Sequence, residues 1–321
     1  MRILVLIVSV IISVILSACA LINKNSNLKF NVDYPLYSSD GEKFNFNEVA
    51  KALDKTFAVG LPVLLFIHGR GDEPQKSLTG SFFVEGQAVK KLEEQYKIKV
   101  LMFNWNSKAA SLYDRSAPLS QMSQAADSLK KVLIELESYF LNNINKNKKI
   151  ALLVHSMGSI VLQTYLKKNS WPPKSKGPLF SQIILTSPDV ANTNHADWLS
   201  KISEVENVYI SINKNDDILE KSTDSRQDSE KALGLRPEQP YSPKTTYLDL
   251  TGLGDTLGKS TGAHEVFNKE KMKNQLHLCQ IFNQLLTSKK PDFESTTTQT
   301  NQSNYLKIKF NVSKTQECFN F

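Results

Sequence analysis

Three residues far apart in the chain have the types and the order needed for nucleophilic catalysis: a serine, an acid and a histidine. Ser156 lies in Val154-His155-Ser156-Met157-Gly158, directly after the apolar run from Ile150 to Val154 and before a helical stretch from Ser159 to Lys168. A sharp strand–turn–helix connection lifts a serine hydroxyl above a sheet. It also sets that hydroxyl at a helix N-terminus, where partial positive charge stabilises an anion. Gly158 allows the turn and the helix to approach closely. Such a turn usually reads G-x-S-x-G, and Val154 stands in the first glycine position. A branched Cβ there crowds the turn, so the competing reading is an ordinary strand-to-helix turn with Ser156 as the cap.

A serine hydroxyl needs a base, and the base needs an orienting acid. His264 sits in a glycine-rich loop, Gly262-Ala263-His264-Glu265, after the strand pattern Thr245 to Leu250. For the acid, Asp216 and Asp217 follow the run Val208 to Ile212, and Asp189 follows the run Ile183 to Leu185. Asp216 is favoured over its two rivals. Phe66-Ile67-His68-Gly69-Arg70-Gly71 ends an earlier apolar run. The backbone N–H groups of Arg70 and Met157 are the candidate oxyanion donors, each worth about 3–4 kcal/mol in a transition state. The Arg70 side chain suits either an anionic substrate group or a surface ion pair. His68, Gly69, His155, Asp189 and His195 are candidate pocket residues. His68 and His155 also fit structural hydrogen bonding, and His195 also fits a surface role. No His, Cys and carboxylate set has metal-ligand spacing, so neither a metal nor another cofactor is expected.

The elements that must position these residues show in the hydrophobic pattern. Pro62 to Ile67, Val100 to Phe103, Ile150 to Val154 and Ile183 to Leu185 are uninterrupted apolar runs. Strands of that kind are buried on both faces, as in a parallel sheet. Between them, residues 120–141 carry Met122, Ala125, Leu129, Val132, Leu133, Leu136 and Phe140 at helical spacing, and residues 82–96 and 265–286 behave similarly. The expected fold class is α/β, a doubly wound, mostly parallel sheet with helices on both faces. A strand at Leu28 to Val32, a Ser-Ser-Asp-Gly turn at 38–41 and a helix from about Asn47 precede it. Residues 219–244 read as a turn-rich excursion, 287–304 as a linker, and Tyr305 to Val312 as an edge strand. The domain plan is 1–18 signal, 19–56 linker and hairpin, 57–286 main domain, and 287–321 C-terminal linker.

The chain has 321 residues, 39 Lys+Arg against 32 Asp+Glu, and a formal net charge of +7. The lysines are scattered in pairs such as Lys90-Lys91 and Lys148-Lys149, with no basic patch, so nucleic acid is not an expected partner. A mildly basic surface suits an anionic membrane nearby. Met1-Arg2, the apolar stretch Ile3 to Leu16 and the small residues after it form a secretory signal. Leu16-Ser17-Ala18-Cys19 resembles the bacterial lipobox, which implies lipidation of Cys19 and a membrane tether. An uncleaved anchor is the competing reading. Ala20 resembles an outer-membrane sorting signal, which would put the chain on the periplasmic face of the outer membrane in a Gram-negative cell. Cys279 and Cys318 then remain, either as a disulfide or as two thiols.

Further motifs connect these pieces: Phe103-Asn104-Trp105-Asn106-Ser107, Tyr113-Asp114-Arg115, Ser187-Pro188-Asp189-Val190 and Asn215-Asp216. Together with the His-Gly loop, His-Ser-Met-Gly and the late histidine, they resemble an uncharacterised family of α/β-hydrolases grouped with esterases and lipases. The likeness covers roughly residues 57–285. Asn106 departs from it, because the family commonly has proline before that serine. The resemblance implies an α/β-hydrolase fold and places the acid on Asp216 by position. It implies a serine hydrolase acting on a small-molecule or lipid acyl ester or thioester. A catalytically inactive envelope scaffold, favoured by Val154, and an acyltransferase are the alternatives. The sequence sets no oligomeric state.

Overall fold

Apolar side chains on both faces of a strand need cover on both sides, and each uninterrupted apolar run is a strand inside a layered body. A computed structural model describes residues 35–70, 88–107, 115–141, 148–171, 178–226, 230–253, 264–267 and 275–310. The strands are β1 (Leu36–Ser38), β2 (Lys43–Phe44), β3 (Val63–Ile67), β4 (Lys99–Phe103), β5 (Ile150–His155), β6 (Gln182–Thr186), β7 (Asn207–Ile212), β8 (Thr245–Asp249), β9 (Thr297–Gln299) and β10 (Tyr305–Ile308). They form one ten-stranded sheet in the order β2-β1-β4-β3-β5-β6-β7-β8-β10-β9. From β4 to β10 all neighbours are parallel; β1, β2 and β9 pair antiparallel at the margins.

Alternate residues of each strand feed two separate cores. Val63, Leu65, Ile67, Leu152 and Val154 pack on one face, with helices α1 (Val49–Phe57), α4 (Met122–Leu141) and α5 (Gly158–Lys168). Leu64, Phe66, Ala151 and Leu153 pack on the other, with α2 (Ala88–Tyr96) and α8 (Leu276–Leu286). Short helices α3 (Ser116–Ser120), α6 (His195–Leu199) and α7 (Asp217–Asp224) follow strands or precede α4. The 3₁₀ turn before α1 carries a capping box: the Asn45 side chain accepts from Asn47, and Glu48 reaches back to the Asn45 N–H at 3.1 Å.

The strand order reverses at β3. The chain goes from β3 to β4 on one side, then returns so that β5 pairs with the other edge of β3. Ligands of open α/β sheets bind outside the carboxyl ends at such a switch point. The segments that leave those ends are His68-Gly69-Arg70 from β3 and Ser156-Met157 from β5.

Some expectations need correction. Residues 264–267 form a turn rather than the start of a helix, because the Tyr96 hydroxyl (2.8 Å) and the Gln95 amide (3.0 Å) donate to the Phe267 carbonyl. The excursion at 219–244 begins within α7 and then lies down on the body. Leu233 N–H donates to Val190 O (2.7 Å), Gly234 N–H to Pro188 O (2.9 Å), and Ala232 and Leu233 are buried. The supposed linker contains β9, where consecutive threonines favour a strand. β9 takes the sheet edge and leaves β10 inside, parallel to β8. The sheet therefore extends past residues 57–286 at both ends. Residues 1–34, with Cys19 and the Leu28–Val32 strand, lie outside the described residues, as do Gly71, Tyr113-Asp114, Gly262-Ala263, Val312 and Cys318.

Candidate active site

Ser156 follows β5 with φ +50°, a left-handed backbone that a side chain-bearing residue adopts at a cost of about 1–2 kcal/mol. The turn is over-determined. Ser156 N–H donates to Thr186 O (3.0 Å), while Ser156 O accepts from the N–H groups of Ser159 (3.0 Å) and Asp189 (3.2 Å) and from the Ser159 hydroxyl (2.7 Å). Val154, in place of the usual glycine, is fully buried in the core and paired with Ile67 and Leu185, so its side chain does not prevent the turn. The second glycine is required. A Cβ on Gly158 would lie 2.7 Å from His68 O and 2.8 Å from Ile67 O. Gly69 likewise approaches the serine: a Cβ there would lie 2.8 Å from Ser156 Cβ. The His-Gly loop and the serine turn thus meet without room for a methyl group.

His264 Nδ1 lies 2.9 Å from Asp216 Oδ2 and 3.1 Å from Oδ1, and both residues are buried. A carboxylate at Nδ1 fixes the N–H there and leaves Nε2 as the basic nitrogen. Burial works against the charged ring. The Asp216 charge and hydrogen bond, aided by Glu265 and Asp189, outweigh it and raise the His264 pKa above its ordinary value. Asp216 Oδ1 also accepts from the N–H groups of Ile218 (3.1 Å) and Leu219 (3.0 Å), capping α7. Asp217 is the first residue of that helix and only half-buried. Asp189 is held elsewhere: it pairs with Arg115 and Arg226 and accepts from the Ser222 hydroxyl at 2.7 Å.

The His155 ring packs against His264 and Phe267. Its centroid is 4.8 Å from that of His264 and 5.1 Å from that of Phe267. His155 Nδ1 meets Thr186 O (3.3 Å) and Oγ1 (3.2 Å), and burial together with the His264 charge lowers its pKa well below the usual range. His68 donates from Nδ1 to Gly69 O at 2.8 Å, and burial lowers its pKa to about 4. Both rings are therefore neutral at pH 7. Among the described residues no hydrogen bond links Ser156 Oγ to His264, whose ring lies against that of His155.

Met157 is the N-cap residue of α5, and Arg70 is buried just after Gly69. The first N–H groups of a helix have no partner within it. His195 joins a different group, with Asn192 O and the Tyr247 hydroxyl each 2.8 Å from its ring nitrogens. It is buried rather than at the surface. Cys279 is buried and disulfide-bonded.

Several supporting residues escaped the reading of the sequence. Trp105 Nε1–H donates to His68 O (2.8 Å) and its ring stacks on His68. The Ser187 hydroxyl donates to His264 O (2.8 Å). The Tyr96 hydroxyl donates to Phe267 O (2.8 Å) within the same core. Trp105 and Ser187 lie within quoted motifs, which was the available signal; Tyr96 gave none.

A strained serine turn at the switch point of a doubly wound sheet, with an acid and a histidine arriving from later loops, defines the α/β-hydrolase class. The chain belongs to a family described as alpha/beta hydrolase of unknown function, whose model matches residues 44–251. Among solved structures it is similar to a lipase-esterase related protein from Clostridium acetobutylicum (17% identity, 43% of this chain and 48% of that one, TM-score 0.22). That alignment spans about half of the other protein. A lipase/esterase from Lactobacillus plantarum aligns at 12% identity over 62% of this chain and 80% of that one, with TM-score 0.31. Esterase B from Lactobacillus rhamnosis aligns at 11% identity over 66% and 73%, with TM-score 0.34. None of the three fixes an activity for this chain. No curated protein matches it.

Proposed function

We propose that the chain is a serine hydrolase that cleaves a carboxylic ester or thioester through an acyl-enzyme on Ser156. Ser156 Oγ attacks the carbonyl carbon while His264 Nε2 takes its proton. The tetrahedral oxyanion is met by the N–H groups of Arg70 and Met157. Collapse breaks the bond to the alcohol or thiol, which leaves with the proton from His264. Water, activated by the same imidazole, then releases the acid and restores the serine. Asp216 holds the tautomer and supports the imidazolium. The observation that carries the reading is the buried Asp216–His264 pair set beside a serine with φ +50°. The proposed step needs a Ser156–His264 hydrogen bond, of the kind that often tightens only once substrate is bound.

A fluorophosphonate probe tests this. The purified protein is expected to label, and Ser156→Ala to abolish labelling. No labelling of cooperatively folded protein would favour the inactive scaffold, the reading that the open Ser156–His264 contact supports. An acyltransferase would label too, and would be told apart by ester product formed from an added alcohol. The sequence of the first nineteen residues supports attachment to the bacterial cell envelope through lipid on Cys19, with membrane acyl esters as accessible substrates.

A further inference from the structure

Asp189, Arg115 and Arg226 form a cluster that the proposed chemistry does not use. Arg115 Nη1 and the Ser222 hydroxyl meet Asp189 Oδ2. Arg226 Nη2 meets Asp189 Oδ1 (2.9 Å) and donates to Asp189 O (2.6 Å). The three side chains are 8%, 6% and 3% exposed for Arg115, Arg226 and Asp189. Among the described residues two guanidiniums thus share one carboxylate, leaving one positive charge in excess. An unbalanced buried charge costs several kcal/mol unless an anion completes it. Arg226 Nε, also buried, has no hydrogen-bond partner among the described residues.

All three residues line a cavity of about 880 Å³, within the size range of small-molecule sites. Lys167 and Lys201 on its walls are matched by Asp197 and Glu230, so the excess charge is that of the arginine pair. Leu119, Ile160, Val190 and Trp198 supply an apolar side. The cavity adjoins the serine turn, because Asp189 N–H donates to Ser156 O and Ile160 lies in the first turn of α5.

We propose that this cavity binds the oxyanion of an amphiphilic anion at Arg115 and Arg226, and that the substrate is an ester carrying a carboxylate or phosphate away from the scissile bond. The substrate clause rests on the serine-hydrolase reading; the binding clause rests on the cluster alone. Guanidinium forks suit both oxyanions through charge-assisted hydrogen bonds, and the apolar wall takes the chain.

Calorimetric titration of the full chain with octanoate, octyl phosphate and neutral octanamide tests it. At least one anion is expected to bind at least about tenfold more tightly than octanamide, since one charge-assisted hydrogen bond accounts for that ratio. Octanoate alone binding assigns a carboxylate, octyl phosphate alone a phosphate, and both a general oxyanion site. Arg226→Gln leaves Asp189 paired with Arg115 and is expected to weaken anion binding by about tenfold. Binding of neither anion, equal binding of octanamide, or undiminished binding by a folded Arg226→Gln overturns the proposal. Where that variant does not fold, the comparison of anion with amide decides alone. Ser156→Ala is expected to keep anion binding. Anion binding without probe labelling removes the hydrolase reading and leaves the site, and labelling without anion binding does the reverse.

Discussion

Asp216 serves three donors with one carboxylate: two backbone N–H groups of α7 and the ring of His264. An amide in its place can accept from the ring but no longer supports an imidazolium. Asp216→Asn is therefore expected to lower kcat on the order of 10⁴-fold, measured on any ester the enzyme turns over. The pH profile carries the same signature. In the proposed mechanism His264 must be neutral to act as base, and its pKa is raised, so the acidic limb of kcat/KM is expected above the ordinary histidine value of about 6.5. Removing the Asp216 charge is expected to move that limb downward. The linked stability has the matching sign. The pair stabilises the fold fully below about 6.5 and loses that contribution as pH rises through the raised value. Asp189→Asn behaves differently, because it leaves two buried guanidiniums without a counter-charge. Denaturant unfolding is expected to show a loss of about 3–5 kcal/mol; unaltered stability would contradict the described cluster. Ser156 and His264 were singled out by their motifs. The sequence favoured Asp216 over Asp217 and Asp189 without separating them decisively, since all three follow strands. The arginines that occupy Asp189 come from 74 and 37 positions away, and no local pattern announces them.

Elements set the site through close approach and capping. The backbones of β3 and α5 meet at Gly158, where an added methyl group would lie within 2.8 Å of two carbonyl oxygens. Backbone atoms cannot swing aside as side chains do. Gly158→Ala is expected to destabilise the protein by about 1–3 kcal/mol in thermal or denaturant unfolding and to slow probe labelling of Ser156. Capping and orienting can be separated at α7. Serine caps a helix about as well as aspartate, so Asp216→Ser is expected to melt within a few degrees of the parent while losing most activity. Equal loss of both would mean that the carboxylate serves the fold first. At this scale the strands read well, because uninterrupted apolar runs have few alternatives in a chain this long. What did not read were α7 and β9. Their sequences are polar, and they exist because Asp216 caps one and β10 pairs with the other. A helix expected to begin at Glu265 starts at Leu276 among the described residues, since side chains of α2 claim the Phe267 carbonyl.

At the scale of the molecule, the strand order decides where chemistry can happen. One reversal, between β3 and β5, gathers the His-Gly loop and the serine turn at one crevice, and the later strands deliver acid and histidine to the same end of the sheet. The alternation of strands and helices predicted a doubly wound sheet; the order of its strands came only with the pairings. Among the described residues no helix is long and apolar enough to cross a membrane. The first residues offer a candidate tether, since Cys19 follows an apolar run in a lipobox-like setting. The physics of such a tether makes a sharp prediction. One acyl chain holds a protein to a bilayer only marginally, and two or more hold it stably. In a bacterial host the full chain is expected to take up labelled palmitate and to sediment with membranes even at high salt, which screens the attraction of a +7 surface for anionic lipid. Cys19→Ser is expected to lose the label. If that variant still sediments, and is released by neither salt nor carbonate, an uncleaved apolar segment is the anchor instead. Unchanged palmitate uptake in Cys19→Ser would exclude Cys19 as the lipidated residue.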